Sequence, residues 1–290
     1  MPMTLQTRPL HPLFGAEALG ADLGEAESAA AIEAAVGRYG LVLLREVDFD
    51  DAGLAGFARR FGPLQNMSRN PDAPREVIRV TNIAEDGRLK SAEDASRRQH
   101  DANLLWHVDS SFLSPGATFS FLHACIVPAE GGDTEFFDAR VAWEALDPAR
   151  RTELAPLAAG HSILHSMRLV GVETPAFAAA SAPPVRRKLV RRHRPSGRDA
   201  LIIPSHVERV DGRDYEQGQA LIAELTAIAA APERVYRHRW RAGDLLIWDN
   251  RCVLHRATPY RAFEAPRDLR SCRVVDVADD GLAAGEGGSS

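Results

Sequence analysis

The sequence predicts a β-rich α+β fold in a single domain, and three observations carry that reading. Short apolar runs recur along the chain, separated by glycine and proline turns. Helical periodicity is concentrated before residue 62 and again at 216–230. No linker of proline, serine or glycine divides residues 1–278, and 290 residues are enough to bury one sizeable core.

Taken in order, Gly15 to Leu23 and Leu41 to Arg45 read as short strands. Between them a helix is expected from a capping Ser28 through good helix formers to Tyr39-Gly40, where glycine ends it. Asp51 to Phe61 places Leu54, Phe57 and Phe61 at helical spacing before Gly62-Pro63 stops it. Val77 to Asn82 is a strand. Glu85 to Asn103 is polar and nearly without large apolar residues, which fits a solvated loop or a lid over a site. Thr118 to Val127 is a buried-type strand. A Pro128-to-Thr134 turn follows, and Glu135-Phe136-Phe137 resumes the sheet. Val141 opens a helix with Trp143 and Leu146 facing inward. Residues 165–188 are expected to be irregular. Hairpins are expected from Leu189–Arg194 with Leu201–Pro204, and from Tyr236–Trp240 with Leu245–Trp248; Glu216 to Ala230 is a helix. Residues 279–290, rich in glycine and acid, read as a disordered tail.

A formal net charge of −5 argues against a nucleic-acid or anionic-membrane partner. Three cysteines without CxxC spacing fit a reducing compartment better than a disulfide framework. Neither a signal peptide nor a membrane-length apolar run is visible, so a cytoplasmic location is expected.

The chemistry concentrates in two segments. Leu105-Trp106-His107-Val108-Asp109-Ser110-Ser111-Phe112 carries a His-x-Asp pair, and on an extended strand residues i and i+2 share a face. Trp248-Asp249-Asn250-Arg251-Cys252-Val253-Leu254-His255 supplies a second histidine. Two imidazoles and one carboxylate are the set that holds ferrous iron on one face and leaves the opposite positions open. Trp106 and Phe112 flank the pair with bulk that would dry it. Thr134 follows two glycines, and Arg267 lies in a basic run after His255. A guanidinium fork and a hydroxyl suit the far carboxylate of a dicarboxylate that chelates iron at its 2-oxo-acid end. Each feature alone is commonplace; their ordered conjunction is not.

These motifs resemble those of the TauD/TfdA family of iron(II)- and 2-oxoglutarate-dependent dioxygenases. The likeness runs from about His11 to Val274 and is densest in 103–112, 131–146 and 236–270. Within the family, the segments 105–112, 131–136, 236–240 and 248–256 are most similar to those of the 2,4-dichlorophenoxyacetate dioxygenases. The resemblance implies a double-stranded β-helix, or jelly roll, with flanking helices. It implies Fe(II) held by His107, Asp109 and His255, 2-oxoglutarate held by Thr134 and Arg267, and O2 as co-substrate. It also implies a small anionic substrate near Asn103 and His206, and commonly a homo-oligomer. One departure stands out. Where the family carries a second arginine for the substrate's acidic group, this chain has Ser271. Arg273 shares the face of Ser271 by strand alternation, whereas Arg270 does not.

The expected reaction is hydroxylation of a substrate C–H bond, coupled to decarboxylation of 2-oxoglutarate to succinate. An aryloxyalkanoate would then break into a phenol and an oxo acid. A sulfonate, alkyl sulfate or phosphonate is the alternative substrate. A zinc hydrolase shares the ligand types but has no use for Arg267; a catalytically silent binding protein is the third class.

Overall fold

The structure, a computed structural model, describes residues 5–68, 72–91, 101–172 and 183–283. A seven-stranded sheet dominates it. Its strands are β1 (Gln6–Pro9), β2 (Ala16–Leu19), β3 (Leu41–Leu44), β4 (Ile78–Thr81), β5 (Ala117–Ile126), β13 (Leu245–Asp249) and β15 (Asp268–Val275). Their order across the sheet is β1-β2-β3-β13-β5-β15-β4, antiparallel except for the parallel β2–β3 pair.

Both faces of this sheet are covered, which is why its central strands are near-continuously apolar. Alternation divides the side chains cleanly. Val42, Leu44, Phe119, Phe121, Leu245, Ile247, Cys272 and Val274 pack with helices α1 (Ala26–Tyr39) and α2 (Asp51–Ala58). Leu41, Leu43, Leu122, Ala124, Leu246, Trp248 and Leu269 point the other way, into the larger core. That core also holds Phe136, Phe137 and Leu254 of a three-stranded sheet. This sheet is ordered β12 (Val235–His238), β6 (Thr134–Asp138), β14 (Val253–Ala257). Two further small sheets are formed by β11 (Val207–Val210), β7 (Ala158–His161) and β8 (Val185–Lys188), and by β9 (Val190–His193) with β10 (Arg198–Leu201). Helices α3 (Ala139–Glu144), α4 (Pro148–Leu154), α5 (Ile163–Leu169) and α6 (Tyr215–Ala229) complete the described elements. The β-rich α+β expectation therefore holds. No helix among the described residues is long and apolar enough to cross a membrane.

Several local expectations change. Strands β12 and β13 do not form a hairpin: β12 pairs with β6, and β13 lies between β3 and β5. The turn between them is tied across the layers by Asp244. Its carboxylate accepts from Arg45 Nη1 and from Arg241 N at 2.8 Å, and lies 3.0 Å from His238 Nε2. Helix α1 begins at Ala26 rather than being capped by Ser28, which is fully buried. Within 165–188, expected to be irregular, α5 ends at Leu169 and β8 begins at Val185; residues 173–182 lie outside the described residues. Of the expected disordered tail, 279–290, residues 284–290 lie outside the described residues, and 279–283 make contacts with the body of the protein. Asp279 accepts from Arg187 Nη1 at 2.6 Å, Asp280 pairs with Arg191, and Leu282 bridges Arg187. Arg187 and Arg191 are buried, and buried guanidinium groups need the counter-charges that 279–283 bring. Of the polar segment 85–103, residues 92–100 lie outside the described residues, and Ala102–Leu104 forms a 3-10 turn.

His161 on β7 is fully buried, and among the described residues neither ring nitrogen has a hydrogen-bond partner. Burial, aided by nearby Arg187, lowers its pKa to about 3. Between pH 6.5 and 3 the unfolded chain therefore binds a proton at this residue that the folded chain refuses, and stability falls as pH falls. His161→Phe is expected to remove up to about 1.4 kcal/mol per pH unit from that slope. Thermal melts across this range check it; an unchanged slope refutes the assignment.

Candidate metal and co-substrate site

The site is built where the two large motifs meet. His107 and His255 form an isolated antiparallel bridge, with His107 N donating to His255 O at 2.9 Å and His255 N to His107 O at 3.0 Å. Directly paired residues project from the same face, and the two imidazole centroids lie 4.1 Å apart. Asp109 comes to them by a different route from the strand geometry expected. The chain leaves the bridge at once and turns through Asp109 and Ser110, Ser110 adopting a positive φ of 56°. A turn, not strand alternation, sets Asp109 Oδ2 3.8 Å from His255 Nε2.

The donor atoms of His107, Asp109 and His255 all lie within 4.8 Å of one another, and all three residues are buried. Their chemical forms fit a divalent metal. Burial pushes both imidazoles below their ordinary pKa, His255 furthest, so they are neutral. Burial alone would raise the Asp109 carboxyl. Arg273, His255, His107 and the Ser120 hydrogen bond outweigh it and hold the group well below the usual carboxylate range. Neutral imidazole and ionised carboxylate are the ligating forms. His107 Nδ1 lies 2.8 Å from Leu105 O, which can only accept, so Nδ1 carries the proton and Nε2 keeps its lone pair. His255 Nδ1 is buried without a hydrogen-bond partner among the described residues. A second clustering of ligand types, His193 with Asp249 and Cys252, fits a metal poorly. Both nitrogens of His193 are engaged, by Ser196 Oγ at 2.7 Å and Asp249 Oδ2 at 3.0 Å, and Arg251 grips the same carboxylate.

The cavity beside the triad is lined by Thr134 and Arg267, and also by Asn103, Ser271 and Arg273. Thr134 opens β6, and its hydroxyl accepts from Trp240 Nε1 at 3.0 Å. Arg267 stands just before β15. Its backbone N donates to Asn82 Oδ1 at 2.7 Å, and its Nε donates to Gly132 O at 3.2 Å. That approach needs a glycine: Gly132 has φ +66°, and a Cβ there would stand 3.2 Å from Arg267 Nε. Arg267 is 6% exposed, yet among the described residues no carboxylate lies within ion-pair distance of it. Burial pushes its guanidinium below the ordinary value, against weaker opposing effects of Tyr260 and Asp133.

The remaining expected residues divide. Asn103 also borders a neighbouring cavity of about 150 Å³ that shares Val80, Ala257 and Arg267 with the first. Arg273 does reach the site, but its Nη2 sits 2.6 Å from Asp109 Oδ1. Arg270 turns to the opposite face and pairs with Asp268 and with Asp51 of α2. His206 is buried and is not among the residues that line this cavity. Its ring lies 6.3 Å from that of His107 and 4.8 Å from that of Phe112, and its Nδ1 is 2.8 Å from Ser111 Oγ.

Sequence reasoning missed two of the supports, Ser120 and Asn250. Ser120 Oγ donates to Asp109 Oδ2 at 2.7 Å, and Asn250 Nδ2 donates to Ser120 Oγ at 2.8 Å. Trp248 donates to Asn250 Oδ1 at 3.1 Å and lies 4.5 Å from the His255 ring. Asn250 stood inside the 248–255 motif and was open to notice; Ser120 carried no local signal.

The family described as "Taurine catabolism dioxygenase TauD, TfdA family" matches residues 6–273. The chain is 39% identical to the alpha-ketoglutarate-dependent 2,4-dichlorophenoxyacetate dioxygenase of Cupriavidus pinatubonensis, over 95% of this chain and 99% of that one. It is 32% identical to the (S)-phenoxypropionate/alpha-ketoglutarate-dioxygenase of Sphingobium herbicidovorans, over 87% and 88%. Among solved structures it superimposes on AAD-2 in complex with Mn(II) and N-oxalylglycine with a TM-score of 0.88, at 31% identity, covering 97% of this chain and 100% of that one. The chain belongs to the TauD/TfdA family and is a 2-oxoglutarate-dependent non-haem iron dioxygenase, using Fe(II), 2-oxoglutarate and O2.

Proposed function

We propose that this enzyme hydroxylates the carbon beside the ether oxygen of an aryloxyalkanoate, with His107, Asp109 and His255 holding the iron and Thr134 with Arg267 holding 2-oxoglutarate. The observation that carries the reading is Arg267. A buried guanidinium with no carboxylate partner is costly unless an anion arrives, and this one borders the same cavity as the triad and Thr134. We read the seven-stranded sheet and the β12-β6-β14 sheet, which share one core, as the two walls of a jelly roll with the site between them.

When bound, the iron supplies oxygen activation, which no protein side chain provides. The chain's own residues supply geometry and dryness. The proton on His107 Nδ1 is held by Leu105 O, so the ring presents Nε2. Trp248 and Phe136 pack on the His255 imidazole and exclude water. The Arg267 fork would meet the far carboxylate of 2-oxoglutarate, and the Thr134 hydroxyl would add a hydrogen bond. The substrate body would occupy the neighbouring cavity past Asn103, with Ser271 and Arg273 on the wall nearest the reacting carbon. Hydroxylation there gives a hemiacetal that breaks into a phenol and an oxo acid, while 2-oxoglutarate leaves as succinate and carbon dioxide.

Ser271 leaves the substrate class open, because no guanidinium stands at that position; the second reading is the same chemistry on a sulfonate, alkyl sulfate or phosphonate. Succinate formation with ferrous iron, 2-oxoglutarate and each substrate class separates the two. Phenol release matched one to one by succinate is expected with aryloxyalkanoates. Turnover confined to the other anions would refute the first reading.

A further inference from the structure

We propose that Arg273 is a positioning residue for Asp109. It occupies Oδ1, so the carboxylate would meet a bound iron through Oδ2 alone. This rests on the assignment of His107, Asp109 and His255 as the ligands.

Strand alternation along β15 sends Ser271 and Arg273 to the cavity face, while Cys272 and Val274 pack toward the helices. The guanidinium thus stands one pleat beyond Ser271, next to the turn that carries Asp109. Its Nη2 lies 2.6 Å from Asp109 Oδ1, and its Nη1 donates to Ser110 Oγ at 3.3 Å. The other carboxylate oxygen has a separate environment. Oδ2 accepts from Ser120 Oγ, itself held by Asn250, and is the oxygen that faces His255. One oxygen therefore looks toward the histidines, and the other is closed off by a charge-assisted hydrogen bond, among the stronger kinds available.

The distinction has a chemical consequence. Three single-atom protein ligands on one face leave three positions open. A 2-oxo acid chelate uses two, and oxygen needs the third. A carboxylate that bound through both oxygens would fill one of these. Arg273 prevents that, and a guanidinium has only donors, so it cannot enter the coordination sphere itself. The arginine is thereby engaged by a metal ligand and is not simply a substrate anchor displaced from position 271.

The test uses the full-length protein with Co(II) alone, then Fe(II) with 2-oxoglutarate under anaerobic conditions, in wild type, Arg273→Gln, Arg273→Lys and Asp109→Ala. Circular dichroism checks that each variant is folded. Without co-substrate, the visible d–d spectrum of Co(II) is expected to change in Arg273→Gln and to return toward wild type in Arg273→Lys. With Fe(II), the apparent 2-oxoglutarate affinity of Arg273→Gln should fall about tenfold, the lower end of what loss of an outer partner costs. A Co(II) spectrum in Arg273→Gln superimposable on wild type overturns the proposal, even if 2-oxoglutarate or substrate then binds less well, because Arg273 would be acting on those molecules directly. Wild-type Co(II) affinity and spectrum in Asp109→Ala would instead overturn the ligand assignment, and the proposal with it.

Discussion

Asp109→Asn is expected to reduce substrate-dependent succinate formation to background while leaving the fold intact. The substitution keeps the side chain's volume and removes the single negative charge of the triad. It also places an NH2 group against Arg273, or against Ser120 and the face turned to His255, where the native oxygens accept. Iron affinity should fall by more than the roughly 10–100-fold typical of losing an outer partner, because a ligand itself is lost. Stability should fall by about 1–2 kcal/mol, less than for a fully buried pair, since the Arg273 side chain is 19% exposed. Metal content after dialysis, the visible band that ferrous iron gives with 2-oxoglutarate, and a thermal melt measure the three effects. A variant that keeps wild-type iron and turnover would exclude Asp109 as a ligand.

Arg267→Ala should leave metal binding nearly untouched and raise the 2-oxoglutarate requirement steeply. The guanidinium is buried, has no carboxylate partner among the described residues, and shares its cavity with Thr134. Losing one member of a desolvated, hydrogen-bonded charge pair costs about 3 kcal/mol, on the order of a hundredfold in affinity. Because the free protein is relieved of an uncompensated buried cation, the unliganded variant should be no less stable than wild type. Titration of the anaerobic ferrous protein with 2-oxoglutarate gives the affinity directly. An unchanged midpoint would remove Arg267 from the co-substrate site.

Much of the site could be read before the fold was seen, for a physical reason. Iron chemistry demands particular residue types, and His107, Asp109, His255, Thr134 and Arg267 lie in short motifs whose neighbours are equally distinctive. Strand alternation also sorted Arg270 from Ser271 and Arg273, because a period of two is a local property that pairing does not alter. The central strands and helix α6 were legible on the same local grounds. Less legible was how Asp109 reaches the metal: the i, i+2 argument assumed a strand where the chain makes a turn.

What sequence alone determined is therefore the reaction class, together with the short motifs that carry the candidate metal and co-substrate residues. Tertiary structure alone decided which partners those groups have. Strands β12 and β13, neighbours in sequence with a turn between them, join different sheets, β12 beside β6 and β13 between β3 and β5, and Asp244 in their turn meets Arg45, a residue far away in the chain. Asp279 and Asp280 are ordered because Arg187 and Arg191 await their charge. Arg273 meets Asp109 across 164 residues, and His206 packs against Phe112 with its Nδ1 beside Ser111 Oγ. Each of these depends on desolvation and pairing between distant segments. Such energies exist only once the chain has closed around them, so no local pattern announces them.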